Sequence, residues 1–221
     1  MAFSTSARPD RPAPADRQDG ADATLAAARA RDVDRREQCV AAARDLASET
    51  ASAAFTVAQI AARAGVSLKA FYRCFPGKDE LLLALIEDDS RIGARALATL
   101  VGERENPVDA LHACVTELFA LVSESGQLGY ASVLVREHRR LWEHYPRELS
   151  IALAPLVDLL AAHVAAATNG PDPQRDADTM FRLILQGIDE VVVGRVVDPR
   201  ELAEYLWQFC WRGLSAASEE G

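Results

Sequence analysis

Aromatic residues are scarce, at 6% of the 221 positions, and no convincing strand pattern occurs. Alanine is abundant beside leucine, arginine and glutamate, a mixture that favours helix over sheet. The four cysteines (Cys39, Cys74, Cys114 and Cys210) lie far apart with no CxxC, which excludes a disulfide or zinc framework. No uninterrupted apolar run approaches membrane-spanning length, so no membrane association is expected. The first twenty residues carry acids and prolines where a signal peptide needs an apolar core, and a cytoplasmic location is expected. Catalytic signatures are missing too. There is no HExxH, phosphate loop or dinucleotide fingerprint, and no Cys–His, Ser–His or carboxylate pair has a spacing tied to catalysis. His112 and Cys114 are two apart and point away from each other on a helix. The histidines at 112, 138, 144 and 163 form no ligand cluster. No catalytic residue, metal or cofactor is therefore expected. What is present is 49% apolar residues, enough to exclude a wholly disordered chain and to bury a real core.

The net charge of −9 is unevenly spread. Residues 1–30 are neutral, residues 31–80 carry +1, and residues 81–221 carry −10. Within 56–78 stand Arg63, Lys69, Arg73 and Lys78 with no acid at all. A local +4 stretch in an acidic chain suggests one place that meets an anion, while the remainder repels a polyanion. A solvated charged face would give the same count.

Helical spacing dominates the rest. Pro9, Pro12 and Pro14 argue for a disordered tail over 1–30. Val40, Ala43, Leu46 and Ala47 predict a helix over 33–49. Thr56, with Gln59 three residues on, reads as a capping box before a short helix. Ala64-Gly65-Val66 ends that helix, and Ser67 caps another that runs to Phe75. Lys78-Asp79-Glu80 opens a long helix, its acids suiting the N-terminal dipole. Further helices are predicted over about 106–125, 128–145, 147–168, 175–195 and 199–216. Pro155 predicts a kink or break in the third of these. The fold class is all-α, with about nine helices.

Residues 56–75, TVAQIAARAGVSLKAFYRCF, combine two short helices with a tight glycine turn, a helix-turn-helix. Its second helix has the size to enter a DNA major groove and projects Ser67, Lys69, Ala70, Tyr72 and Arg73 outward. Thr56 sits at a helix N-terminus, where backbone N–H groups suit a phosphate, and Lys78 is placed for the same task. Residues 36–86, and VSLKAFYRCFPGKDEL above all, resemble the tetracycline-repressor family of bacterial transcription regulators. Val66, Ser67, Phe71, Tyr72, Phe75 and Lys78 occupy that family's characteristic positions. The resemblance implies that Tyr72 and Lys78 touch phosphates and that Ser67, Lys69 and Ala70 face bases or backbone. Two departures bear on the operator sequence: Lys69-Ala70 stands where a Gly-Thr pair is usual, and Cys74 replaces a common histidine. Arg31, Arg35 and Arg36 are candidates for a DNA-contacting arm, although acids interleave with them.

The resemblance also implies that 31–80 is the DNA-binding domain and 81–221 a helical ligand-binding and dimerisation domain. The partners implied are a double-stranded palindromic operator, a small effector and a second copy of the chain, with the protein a repressor. Dimer packing of the last two helices falls on Phe181, Ile188, Val191, Leu202, Leu206 and Phe209, although an intramolecular core would give the same stripe. For a mostly apolar effector the candidates are Tyr130, Leu134, His138 and Trp142 on one helix. Cys114, Leu118, Phe119, Met180 and Ile184 would face them. A histidine in an apolar stripe is more often a satisfied core residue than a ligand contact. Arg136, Arg139 and Arg140 either pair with Glu137 and Glu143 or face an anion. The rival reading is a helical carrier or enzyme acting on an apolar molecule, with the helix-turn-helix as packing alone.

Overall fold

The computed structural model describes the backbone of residues 14–102, 104–123, 128–196 and 198–219, and side chains between 29 and 216 of these. The described residues form nine α-helices and no strand. They are α1 (Pro14–Thr50), α2 (Val57–Arg63), α3 (Leu68–Cys74), α4 (Lys78–Val101), α5 (Pro107–Ser123), α6 (Leu128–His144), α7 (Pro146–Ala167), α8 (Pro173–Val192) and α9 (Pro199–Glu219).

Local chemistry sets the boundaries. Thr56 Oγ1 accepts from the Gln59 N–H (3.2 Å), and the Gln59 side chain accepts from the Thr56 N–H (2.8 Å), closing the capping box of α2. Gly65 takes φ +67°, a conformation that costs glycine least, and turns the chain into α3. Ser67 caps α3 by accepting from the Ala70 N–H (3.1 Å). Proline stands at the start of α7 and α8, where its missing N–H is no loss.

One expectation needs correction, and a second is answered only as far as a break in the helix is concerned: none occurs. Residues 14–30 continue α1 and do not stand apart as a tail. Pro14 occupies the first helical position, which proline tolerates, and the alanine-rich run after it favours helix. Residues 1–13 lie outside the described part. The helix α7 is unbroken at Pro155. The carbonyl released there is that of Ile151, whose side chain is 69% exposed, so water reaches that side of the helix.

Two apolar clusters hold the molecule together. The first packs Cys39, Ala43, Phe55, Ile60, Phe71 and Phe75 of the head on Leu81–Ile86 of α4. It also takes in Val133, Leu141, Leu149 and Ala152 from α6 and α7, so the head core extends beyond residue 80. The second cluster joins α5, α7, α8 and α9 to the far end of α4. The central helix α7, with hydropathy 1.9 over its most apolar window, is long and apolar enough to cross a bilayer. It lies against α4, α5, α6 and α8, and a third of that apolar window is buried there.

Candidate functional site

The head presents α3 outward. Ser67, Lys69, Tyr72 and Arg73 are exposed and Ala70 is half-buried, while Phe71 and Phe75 anchor the helix from below. The Tyr72 ring stands edge-on to Phe71 (5.5 Å between centroids, 89°) and is 56% exposed. The four cations of the acid-free stretch are not equivalent. Arg63 makes a bidentate pair with Glu49 (2.7 and 2.8 Å), and Arg73 pairs with Asp32 on α1 (2.5 Å). Lys78, expected at a phosphate, has partners within the protein. It is half-buried, donates to the Ala53 carbonyl and lies over the Phe55 ring (4.8 Å). Burial holds its pKa below the usual lysine range. Among the described residues Lys69 alone of the four makes no ion pair or hydrogen bond. The Thr56 hydroxyl is engaged by its own cap. Of the candidate arm, Arg35 pairs with Asp32 (2.9 Å), and Arg36 lies over Phe75 (4.5 Å) and donates to the Cys74 carbonyl (3.3 Å).

Between α4, α5, α6, α7 and α8 lies an apolar chamber of about 210 Å³. Of the expected residues, Leu118, Leu134 and His138 line it. Cys114, Phe119, Met180 and Ile184 do not; they are buried in the surrounding core. Burial pushes the Cys114 thiol up to about 11. Tyr130 sits behind the wall, its hydroxyl donating to Asp89 Oδ2 (2.5 Å). Trp142 stands in a second, more polar cleft of about 360 Å³ between α6 and α8. The two spaces share Val135, His138 and Leu185. The α4 contribution was not anticipated. Ile86, Ser90 and Gly93 form a stripe at helical spacing that faces the chamber, with Asp89 beside it. A polar Asp-Asp-Ser step after the run Leu81–Ile86 was the available signal. Phe181 and Ile188, expected in the dimer face, also line the chamber.

Asp89 has a second contact that reaches the head. Its Oδ1 accepts from Arg44 Nε (3.0 Å) and Nη2 (2.8 Å) on α1, and Asp88 also accepts from Arg44 (2.8 Å). Burial holds the Asp89 carboxyl above the usual carboxylate range, against the pull of the Tyr130 and Arg44 hydrogen bonds. The basic residues of α6 are matched by protein groups. Arg136 donates to the Ala51 carbonyl (2.8 Å), Arg139 pairs with the buried Asp189 (2.5 Å), and Arg140 pairs with Glu137 (2.8 Å) and Asp79 (2.6 Å). No group of three or more His, Cys, Asp or Glu residues able to hold a metal occurs among the described residues.

On the α8–α9 side, Val191, Leu202 and Leu206 are half-buried against the monomer's own core. Phe209 is 58% exposed and Tyr205, which was not anticipated, 64%. A groove of about 650 Å³ runs between the two helices past Leu183, Phe209 and Gly213.

Residues 40–85 match the family model described as bacterial regulatory proteins, tetR family. No curated protein matches the chain in sequence. Solved structures share its fold. A TetR transcriptional regulator from Rhodococcus sp. RHA1 is 19% identical, with TM-score 0.67, covering 80% of this chain and 93% of its own. Thermus thermophilus FadR, a TetR-family repressor solved with lauroyl-CoA, is 21% identical with TM-score 0.64, covering 81% and 94%. RolR, solved with resorcinol, is 16% identical with TM-score 0.62, covering 81% and 88%.

Proposed function

We propose that this chain, which belongs through its head to the tetR family of bacterial regulatory proteins, is a ligand-responsive transcription regulator that represses from a palindromic operator. The observation that carries the reading is α3 itself: a capped, exposed helix resting on Phe71 and Phe75, with Lys69 unpaired at its outer face. In this reading Ser67, Lys69 and Ala70 meet base edges, while Tyr72, Arg73 and the α2 N-terminus at Thr56 position the head on phosphates. Lys78 and Arg73 join only by exchanging Ala53 and Asp32 for DNA. The remainder of the chain, beyond about residue 80, senses a small, mostly apolar molecule. The chamber supports this, as do ligand-bound neighbours of the same fold. A homodimer forms over α8 and α9, with Phe209 and Tyr205 at its centre. A ligand that prefers one spacing of the two heads then shifts the population away from the DNA-bound state.

The test is fluorescence anisotropy with duplex DNA from the gene's own upstream region against a scrambled duplex, across a salt series. Sequence-selective binding that weakens steeply with salt is expected. Lys69→Ala should cost more on the specific duplex than on the scrambled one. Equal loss on both removes the base-reading role of Lys69. No selective binding, either there or in a random-sequence selection, removes the regulator reading and leaves a ligand carrier.

A further inference from the structure

The chamber's wall is apolar except at one pole, and the charges there are already answered. The Asp89 carboxylate receives two hydrogen bonds from Arg44 and one from Tyr130. Two polar side chains remain. Ser90 is only 3% exposed, lines the chamber, and has no side-chain hydrogen-bond partner among the described residues. Among the described residues no buried side-chain oxygen or nitrogen is left without a partner, so the Ser90 hydroxyl is open to the chamber and can bond to what enters it. His138 stacks on Trp142 (6.2 Å between centroids, 27°), and its ring nitrogens likewise lack a partner among the described residues. Burial, with Arg182 and Arg139 adding to it, holds the imidazole below its ordinary range. The ring is therefore neutral at neutral pH, with one donor and one acceptor nitrogen.

We infer that the chamber takes an uncharged, mostly apolar molecule bearing a single hydroxyl or carbonyl, its oxygen held by Ser90 and His138. This rests on the ligand-responsive reading above. A carboxylate entering the chamber would lie beside Asp89 with no unpaired cation to receive it. An amine would find Asp89 already matched by Arg44. An anionic head group left in the adjoining cleft would meet Glu143, Asp178 and Asp189 against Arg139 and Arg182 alone. The hydrocarbon body fits the remaining wall, which includes Ile86, Leu118, Leu134, Leu156 and Phe181.

The test is calorimetric titration of the full chain at about pH 7.5 with three probes of equal length: 1-octanol, octanoate and octylamine, the last two charged at that pH. Expected is about tenfold tighter binding of 1-octanol than of either charged probe. Ser90→Ala and His138→Leu should each weaken 1-octanol binding about threefold to tenfold, and His138→Gln, which keeps a donor and an acceptor, should retain most of it. Thermal melts of each variant confirm folding. Octanoate or octylamine binding as well as 1-octanol overturns the inference. So does an unchanged 1-octanol affinity in folded Ser90→Ala, or no binding of any probe up to about 1 mM. Operator anisotropy on the same samples separates the two readings. Selective DNA binding without probe binding defeats only the ligand class, and failure of both defeats the regulator as well.

Discussion

The two apolar clusters use the same kinds of side chain to different ends. The head cluster is filled by large rings and branched chains: Phe71, Phe75 and Ile60 are all 0% exposed. The α4–α8 region, equally rich in leucine, leaves a chamber of about 210 Å³ open. Native interiors are close-packed, so an unfilled space of that size forfeits contacts that a filled core would make. A head that must present α3 in one orientation profits from rigidity. In the proposed reading, the space in the α4–α8 region is where a ligand replaces the missing contacts.

The largest effect that separates the two should come from truncation. Phe71→Ala is expected to destabilise the protein by about 4 kcal/mol, and Leu156→Ala on the chamber wall by about half of that, because the wall already borders a void. Urea denaturation of both variants checks this, and equal costs would break the comparison. Next comes Gly187 on α8. A Cβ there would lie 2.7 Å from Phe119 Cζ and 2.8 Å from Leu206 Cδ1. Gly187→Ala should therefore cost about 2 kcal/mol, read from the same denaturation, despite its better helix propensity. Gly93→Ala should do the opposite. Its Cβ would meet Leu156 at an ordinary 3.6 Å, within the chamber wall. A gain of about 0.5–1 kcal/mol in stability is expected, with weaker ligand binding; a loss would show that α4 has no room beside the chamber.

The smallest effect concerns pH. The His138 ring is held below the usual value of about 6.5, so below that pH the unfolded chain takes up a proton that the folded chain refuses. Stability should fall as pH drops through that window, and level off once the folded ring protonates too. His138→Gln should reduce the difference in melting temperature between about pH 7.5 and 5.5. It should not abolish it, since burial lowers His163 in the same way. An unchanged difference would show that His138 is not insulated from solvent.

The elements were legible in the sequence because their signals are local. The capping box at Thr56–Gln59, the turn at Gly65 and the prolines at 146 and 173 each act within one helical turn. Placement of side chains between helices was less legible. Phe181 and Ile188 read as an outward stripe, but the same stripe serves the chamber, and only the packing of α8 on α5–α7 decides which. Met180, Ile184 and Phe119 were near enough in pattern to be expected in the chamber, yet their faces close the core. Ser90 was missed because the polar Asp-Asp-Ser step on α4 reads equally well as a solvated face, and only the packing of α5–α8 turns it inward. The contacts of Lys78 with the Ala53 carbonyl and the Phe55 ring were not legible, because nothing in its neighbourhood of the sequence shows that those groups stand within its reach.

Asp89 and Ser90 are neighbours on α4, one bonded to α1 through Arg44 and the other facing the chamber. This adjacency divides the chamber wall by what mutation is free to do. Changes at Leu121, Val122 or Leu156 alter the shape offered to a ligand without touching the attachment of α1. A change at Asp89 alters the chamber and loosens the head at once. On the proposed reading, substitutions along the apolar wall should therefore change ligand preference alone, while substitutions in the Arg44–Asp89–Tyr130 corner should change ligand and DNA binding together.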